Sequence, residues 1–344
     1  MPELRSALNG GDDVVVIAEA GVNHNGEERL AHELIDVAAA AGAHFVKFQT
    51  FVPEKLVAEA AEATPYQQAQ GGASSQSELL RALALPERVW PELRDHAHAA
   101  GIGFLSTPFD LDSAELLVDL GVDALKVSSG ELTNHPFLSA LARLDVALLV
   151  STGMGDAAEV ASAVEACSAA PFLALFHCVS AYPAPEAECN LAAIPALARQ
   201  LGVPVGWSDH TVGAASALIA AALGARLSEK PFTIGRSLPG PDHAASAEPR
   251  ELSEYVRLVT SVPAMVGDGV KRRMPSEEEN APLVRRSWHA RNDLPAGHIL
   301  TAEDLLALRP EAGVPPTQRI EGRALRTAVA AGSPITLDAL SREG

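Results

Sequence analysis

The chain has 344 residues, 47% of them hydrophobic and 20% charged, which suffices for one large domain and a small one. Its formal net charge of −18 argues against a nucleic-acid or anionic-membrane partner, since both require a positive footprint. Cys167, Cys178 and Cys189 form no spaced framework, CxxC and HExxH are absent, and no stretch is apolar enough for an export signal or a membrane span, so the expected compartment is the cytoplasm.

Short β-branched runs then recur along the chain. Strands are predicted at Val14–Glu19, Phe45–Gln49, Gly103–Thr107, Ala124–Val127, Ala147–Ser151, Phe172–His177, Pro204–Trp207 and Arg226–Lys230. Ala/Leu-rich amphipathic stretches separate them: Glu27–Ala41, Pro86–Ala100, Asp112–Leu120, Asp156–Ser168, Asn190–Leu201 and Val212–Leu223. Gly42, Gly101, Gly121, Gly202 and Gly224 each stand just before a strand, where a helix C-terminus uses glycine. Eight such units in about 250 residues predict a closed (β/α)8 barrel, an α/β fold. The competing doubly wound sheet would carry GxGxxG after its first strand, and GVNHNG is not that motif. A long connection, Phe51 to Leu85, follows the second strand and holds Tyr66, Gln67, Gln68, Gln70 and the Gly71–Gly72 pair. On a barrel it lies on the active face and could act as a lid.

Polar residues cluster where the apolar strands stop: Glu19; Lys47 and Gln49; Thr107; Lys126 and Ser129; Ser151; Ser180; Ser208 and His210; Glu229. A barrel brings all eight strand ends to one mouth. Lysines within VKF and LKV are costly to bury without a partner. Two lysines among hydroxyls suit an anion carrying phosphate and carboxylate oxygens. Any single Ser or Thr could instead be a helix N-cap. His210 in SDHT is a metal-ligand or acid–base candidate, although a lone histidine is more often structural. Glu19 and Glu229 are acid–base candidates or lysine partners, and Asp242–His243 in LPGPDH could be no more than a turn.

Together these segments resemble the sialic acid synthase family, phosphoenolpyruvate-dependent synthases of nine-carbon keto sugar acids. The carrying stretches are IAEAGVNHNG, VKFQTF, FLSTPFD, LKVSSGEL, LLVSTGM, FHCVSAYPAPEAECNL, VGWSDHTVG and LPGPDHAASAEP. RRSWHARNDLPAGHILTAEDLLALRPEAGVPP resembles the family's small, mostly-β antifreeze-like (SAF) domain. The implied organisation is a barrel over 1–267, a linker over 268–284 and the small domain over 285–344. The resemblance implies a phosphoenolpyruvate site of Lys47, Thr107, Lys126, Ser129, Ser151, Ser180 and Ser208. It implies a sugar site that includes Gln49, Tyr182, Asp242 and Glu19, with Glu19, His210 and Glu229 as the catalytic set. It also implies a homodimer in which Arg309 reaches the partner's active site. The reaction it implies joins phosphoenolpyruvate to an open-chain aldehyde such as N-acetylmannosamine and releases phosphate by C–O cleavage.

The pattern departs from the family in two places. The family holds a divalent metal, Mn or Mg, with histidines in SDHT and EKHF; this chain keeps His210 but reads EKPF, so Pro231 stands at the second ligand. The family's YQKxN reads YQQAQ, which puts Gln70 or nothing at the asparagine that touches the acceptor. Two alternatives follow: a diverged, metal-independent phosphoenolpyruvate enzyme with another acceptor, and a phosphoenolpyruvate-binding protein without turnover.

Overall fold

The computed structural model describes Leu4, residues 13–58 and residues 75–341. Eight parallel strands close in chain order into one barrel: β1 (Val15–Gly21), β2 (Phe45–Thr50), β3 (Gly103–Pro108), β4 (Ala124–Val127), β5 (Ala147–Ser151), β6 (Leu173–Cys178), β7 (Val205–Ser208) and β8 (Leu227–Pro231). Every one falls within two residues of its sequence-based bounds.

Period-two alternation divides each strand between two apolar masses. Val15, Ile17, Phe45, Leu105, Leu149, Phe176 and Leu227 form a plug inside the barrel, together with Leu4 and three alanines. Their neighbours Val16, Val46, Phe48, Phe104, Leu125, Leu148, Val150, Leu175 and Trp207 pack outward against the helices. The surrounding helices include α1 (Glu28–Ala40), α2 (Gln76–Leu83), α3 (Val89–Ala99), α4 (Leu111–Asp119), α5 (His135–Leu141), α6 (Ala157–Ala166), α7 (Ala193–Leu201), α8 (Ala215–Ala222) and α9 (Pro249–Val266). Their starts are fixed locally. Asp110 caps α4 through Ser113 N, and Asp156 and Glu159 form a capping box on α6.

The connection after β2 is not loop throughout. It contains one helical turn, Pro53–Leu56, and α2, whose Leu79 and Leu83 lie one turn apart and pack with Val22 and Phe51. Tyr66, Gln67, Gln68, Gln70 and the Gly71–Gly72 pair lie outside the described residues. Helices α5 and α9 are likewise additions to the sequence-based set. Among the described residues no helix is long and apolar enough to cross a membrane.

The chain divides into two compact units, Met1–Gly267 and Asp268–Gly344. In the second, β9 (Ser287–Ala290) pairs antiparallel with β10 (Leu305–Leu308). Leu294, Leu300, Val314, Ile320, Leu325 and Ile335 are among the residues of its separate core.

Candidate active site

The alternation that builds the plug also builds the site. One inward step beyond the plug, Ile17 gives way to Glu19, Phe45 to Lys47, Leu105 to Thr107, Ala124 to Lys126, Leu149 to Ser151 and Leu227 to Glu229. On the same rule Phe176 is followed by Cys178 and then Ser180. Thus the C-terminal ends converge on a polar layer that lies directly on an apolar floor.

Both lysines are buried to 3% exposure and neither is alone. Lys47 is ion-paired with Glu19, donates to Thr107 Oγ1 at 3.1 Å and lies 3.9 Å from Glu229. Lys126 donates to Ser151 Oγ, lies 3.9 Å from Glu229 and sits 5.1 Å over the Phe176 ring. Glu229 therefore bridges the two ammonium groups, and Ser208 Oγ donates to its Oε1 at 3.0 Å. Burial alone would raise the Glu229 carboxyl, but Lys126, Lys47 and Ser208 outweigh that and hold it below the usual range. Glu19 goes the other way. Burial outweighs Lys47, Glu229 adds repulsion, and its carboxyl is pushed up to about 7. Burial also draws the Lys126 ammonium below its usual value. One firm carboxylate, one carboxyl protonated in part at neutral pH and two buried cations leave the layer with a positive surplus that favours an anion.

Two residues beyond Ser151, the partner of Lys126, small polar groups close on Gly153. The Gly153 N–H donates to Ser129 Oγ at 3.1 Å, and Ser129 Oγ meets Cys178 Sγ at 3.2 Å. A Cβ built on Gly153 would stand 2.3 Å from Ser180 Oγ and 2.9 Å from both Ser129 Oγ and Cys178 Sγ. Only glycine permits this ring of three small polar groups, which has the character of an oxyanion cradle. Cys178 was absent from the sequence-based site, although its place in the inward alternation marks it.

The other half of the mouth is organised around His210. Its Nδ1 meets Val179 O at 2.6 Å, which assigns the proton to Nδ1 and leaves Nε2 as an acceptor, 3.4 Å from Ser208 Oγ. Burial lowers the His210 pKa, so the ring is neutral near pH 7. The ring of Tyr182, 47% exposed, lies over it at 4.2 Å. Gln49 donates to Glu19 Oε1 at 3.3 Å. Gly21 turns the chain just above, at φ 55°, where a Cβ would press on Glu19 Oε1 at 3.2 Å. Asp242 lies in the turn after β8, its carboxyl raised to about 6 by burial. Arg309 is exposed in the second unit. Lys230 and His177, at their strand ends, face away from the mouth: Lys230 lies over Tyr255, and His177 meets Cys189 O at 2.8 Å.

The donor set for a divalent ion is thin. His210 Nε2 offers one lone pair, and Glu229 Oε2 is a buried oxygen without a hydrogen-bond donor, 3.9 Å from the Lys47 ammonium. Pro231 pairs in register with Glu19 and supplies no donor atom. His243 is no substitute, because its Nδ1 meets Thr233 Oγ1 at 2.6 Å and its Nε2 meets Asn25 Oδ1 at 3.2 Å. Among the described residues no group of three His, Cys, Asp or Glu side chains could hold a metal ion. These residues do not fit an ion held by the protein alone.

Comparison with known proteins agrees with this architecture. The NeuB family model matches residues 34–271 and the SAF domain model residues 285–341. The chain is 42% identical to the N,N'-diacetyllegionaminic acid synthase of Legionella pneumophila, over 93% of this chain and 92% of that one. It is 40% identical to the enzyme of the same name from Campylobacter jejuni, over 87% and 91%. The crystal structure of the N-acetylneuraminic acid synthetase of Leptospira borgpetersenii in complex with citrate superposes with a TM-score of 0.70 at 34% identity, covering 78% of this chain and 91% of that one.

Proposed function

We propose, from the premise that the chain belongs to the NeuB family, that it condenses phosphoenolpyruvate with the open-chain aldehyde of an acylamino sugar. The products are a 2-keto-3-deoxy sugar acid and inorganic phosphate. The observation that carries this reading is the pair of buried lysines bridged by Glu229, Lys126 on Ser151 and Lys47 on Thr107, with the hydroxyls of Ser129 and Ser180 gathered at Gly153 next to them. The relatives' names supply the substrate class: both are N,N'-diacetyllegionaminic acid synthases. An acceptor with two acetamido groups is therefore the first to test.

In this reading Lys126 and the Ser129–Gly153–Ser180 ring hold the phosphate, while Lys47 and Thr107 hold the carboxylate. C3 of the enol attacks the aldehyde carbon, forming the C–C bond, and the aldehyde oxygen takes the Glu19 proton. Water adds at C2 and loses its proton to His210 Nε2. The resulting hydroxyl at C2 becomes the ketone as the C2–O bond to phosphorus breaks, its proton leaving with phosphate. Glu229 lies between the two lysines and fixes the Ser208 hydroxyl. Tyr182, Gln49 and Asp242 line the acceptor's side. Arg309 is proposed to complete the site of a second copy in a homodimer, which light scattering tests directly; Arg309→Ala should then raise the acceptor KM.

The test is phosphate release from phosphoenolpyruvate across a panel of mono- and diacetamido hexoses, with and without Mn or Mg. Release that depends on one aldehyde supports the reading. Phosphoenolpyruvate binding without release from any member of the panel would leave only a binding protein.

A further inference from the structure

Asp209 and Lys230 take no part in the chemistry proposed above, yet each adjoins residues that do. Asp209 separates Ser208 from His210, and Lys230 separates Glu229 from Pro231. By strand alternation both point away from the mouth, and both are buried. Asp209 Oδ2 lies 3.2 Å from Lys230 Nζ. The pair closes on a single residue. Asp209 Oδ1 accepts from Thr211 N at 2.8 Å and from Thr211 Oγ1 at 2.7 Å, while Lys230 Nζ donates to Thr211 O at 2.6 Å. Thr211 thus has its N–H, hydroxyl and carbonyl all engaged by one ion pair.

Further bonds brace this clasp from behind. Thr211 Oγ1 meets Ser216 Oγ at 2.9 Å, and Ser216 receives the Trp207 indole N–H at 3.2 Å. Lys230 Nζ sits 5.3 Å over the Tyr255 ring, whose hydroxyl meets Ser228 Oγ at 2.7 Å. Helix α9 is thereby tied to the back of β8, and α8 to the back of β7. The backbone of His210 lies between the clasp and the Ala184 N–H, which donates to His210 O at 2.8 Å.

A strand end that only needed stability could be packed with apolar side chains, because a buried ion pair loses much of its Coulomb gain to desolvation. An ion pair adds direction: it fixes where the Thr211 peptide lies, and with it the swing of the imidazole one residue earlier. We propose that Asp209 and Lys230 are positioning residues for the active site, a clasp on the outer face of the barrel that sets the placement of His210 Nε2 and Glu229 inside it. The catalytic meaning of that placement rests on the function proposed above.

Two variants and four measurements decide the matter. Asp209→Asn keeps an oxygen for Thr211 but removes the charge; Asp209→Leu combined with Lys230→Met replaces the pair with an apolar one and strands no charge. Asp209→Asn is expected to lower both the melting temperature and kcat, with kcat down about tenfold or more and phosphoenolpyruvate affinity by calorimetry unchanged. The double variant leaves the Thr211 N–H and carbonyl without these partners, so it is expected to recover the melting temperature only in part and kcat not at all, and to shift the 15N resonance of His210 Nε2. Recovery of kcat together with stability would reduce the pair to a structural filler and overturn the proposal. Parallel loss of phosphoenolpyruvate affinity would do the same, since the whole mouth would then have moved. If the unmodified protein binds no phosphoenolpyruvate, it is the functional reading that fails. The clasp is then judged on the His210 resonance alone: displaced in the double variant, it stands; unmoved, it falls.

Discussion

The two halves of the mouth are built on different physical terms. On the side of β4, β5 and β6, small polar groups are packed closely together: Ser129, Gly153, Cys178 and Ser180 touch one another, and Ser151 accepts from one lysine. Little there needs to ionise differently when a ligand arrives, and specificity comes from shape and fixed donors. On the side of β7, β8 and β1, close packing gives way to coupled charge. Glu229 is shared by two ammonium groups, Glu19 is held at the edge of ionisation and His210 is pinned neutral. The first half is suited to holding a fixed anion and the second to moving protons, and substitutions in each should fail differently.

The largest effect is expected at Glu19. Glu19→Gln removes the proton donor, and phosphate release should fall about 10²–10⁴-fold with phosphoenolpyruvate binding retained. In the unmodified enzyme the rate should decline as pH rises through about 7, where Glu19 loses its proton. Stability carries the same signature. The folded carboxyl is raised from 4.5 to about 7, so between those values the folded state holds a proton that the unfolded chain has released. Stability should decrease with rising pH across that window, and thermal melts of Glu19→Gln should lack the decrease.

Next comes Lys126→Met, which removes the cradle's cation and leaves Glu229 with Lys47 alone. Phosphoenolpyruvate affinity by calorimetry should drop by about 100-fold, the loss expected when one partner of a buried charged set is removed. Undiminished affinity would move the anion site elsewhere. Gly153→Ala tests shape instead of charge: its Cβ must displace Ser180, Ser129 or Cys178, and an affinity loss of about tenfold is expected. The smallest effect on turnover, and the one most specific to the proton-moving half, belongs to Pro231→His. It should strengthen Mn(II) binding, followed by electron paramagnetic resonance, by about tenfold while phosphoenolpyruvate affinity stays level. An unchanged Mn(II) titration would mean that β8 no longer presents residue 231 to His210.

Most of the barrel was legible because its strands obey a two-residue period over a short apolar run. The same period placed Lys47, Lys126 and Glu229 at the mouth. Applied without interruption it would also have drawn in Cys178 and turned Asp209 and Lys230 outward. Three helices escaped notice. α2 sits in a polar connection with only Leu79 and Leu83 to mark it, α5 spans seven residues, and α9 follows a Pro/Gly-rich turn that reads as loop. What no local pattern could supply is protonation. The level of Glu19 depends on Lys47 and Glu229, 28 and 210 positions away, and the His210 tautomer on a carbonyl 31 residues earlier.

The apolar plug has a consequence for traffic. Phe45 lies so close to Gly103 that a Cβ there would stand 2.2 Å from its ring, and with Phe176, Leu227 and Leu4 it closes the barrel from below. Among the described residues the mouth is therefore a cul-de-sac. Lys47 and Lys126 lie at its blind end, and Tyr182, half open to solvent, stands near the entrance. Whatever occupies the blind end must enter first and cannot depart past a neighbour that is still seated. Initial-rate kinetics should accordingly show compulsory order, the anion leading and the larger carbon product clearing the doorway before phosphate follows.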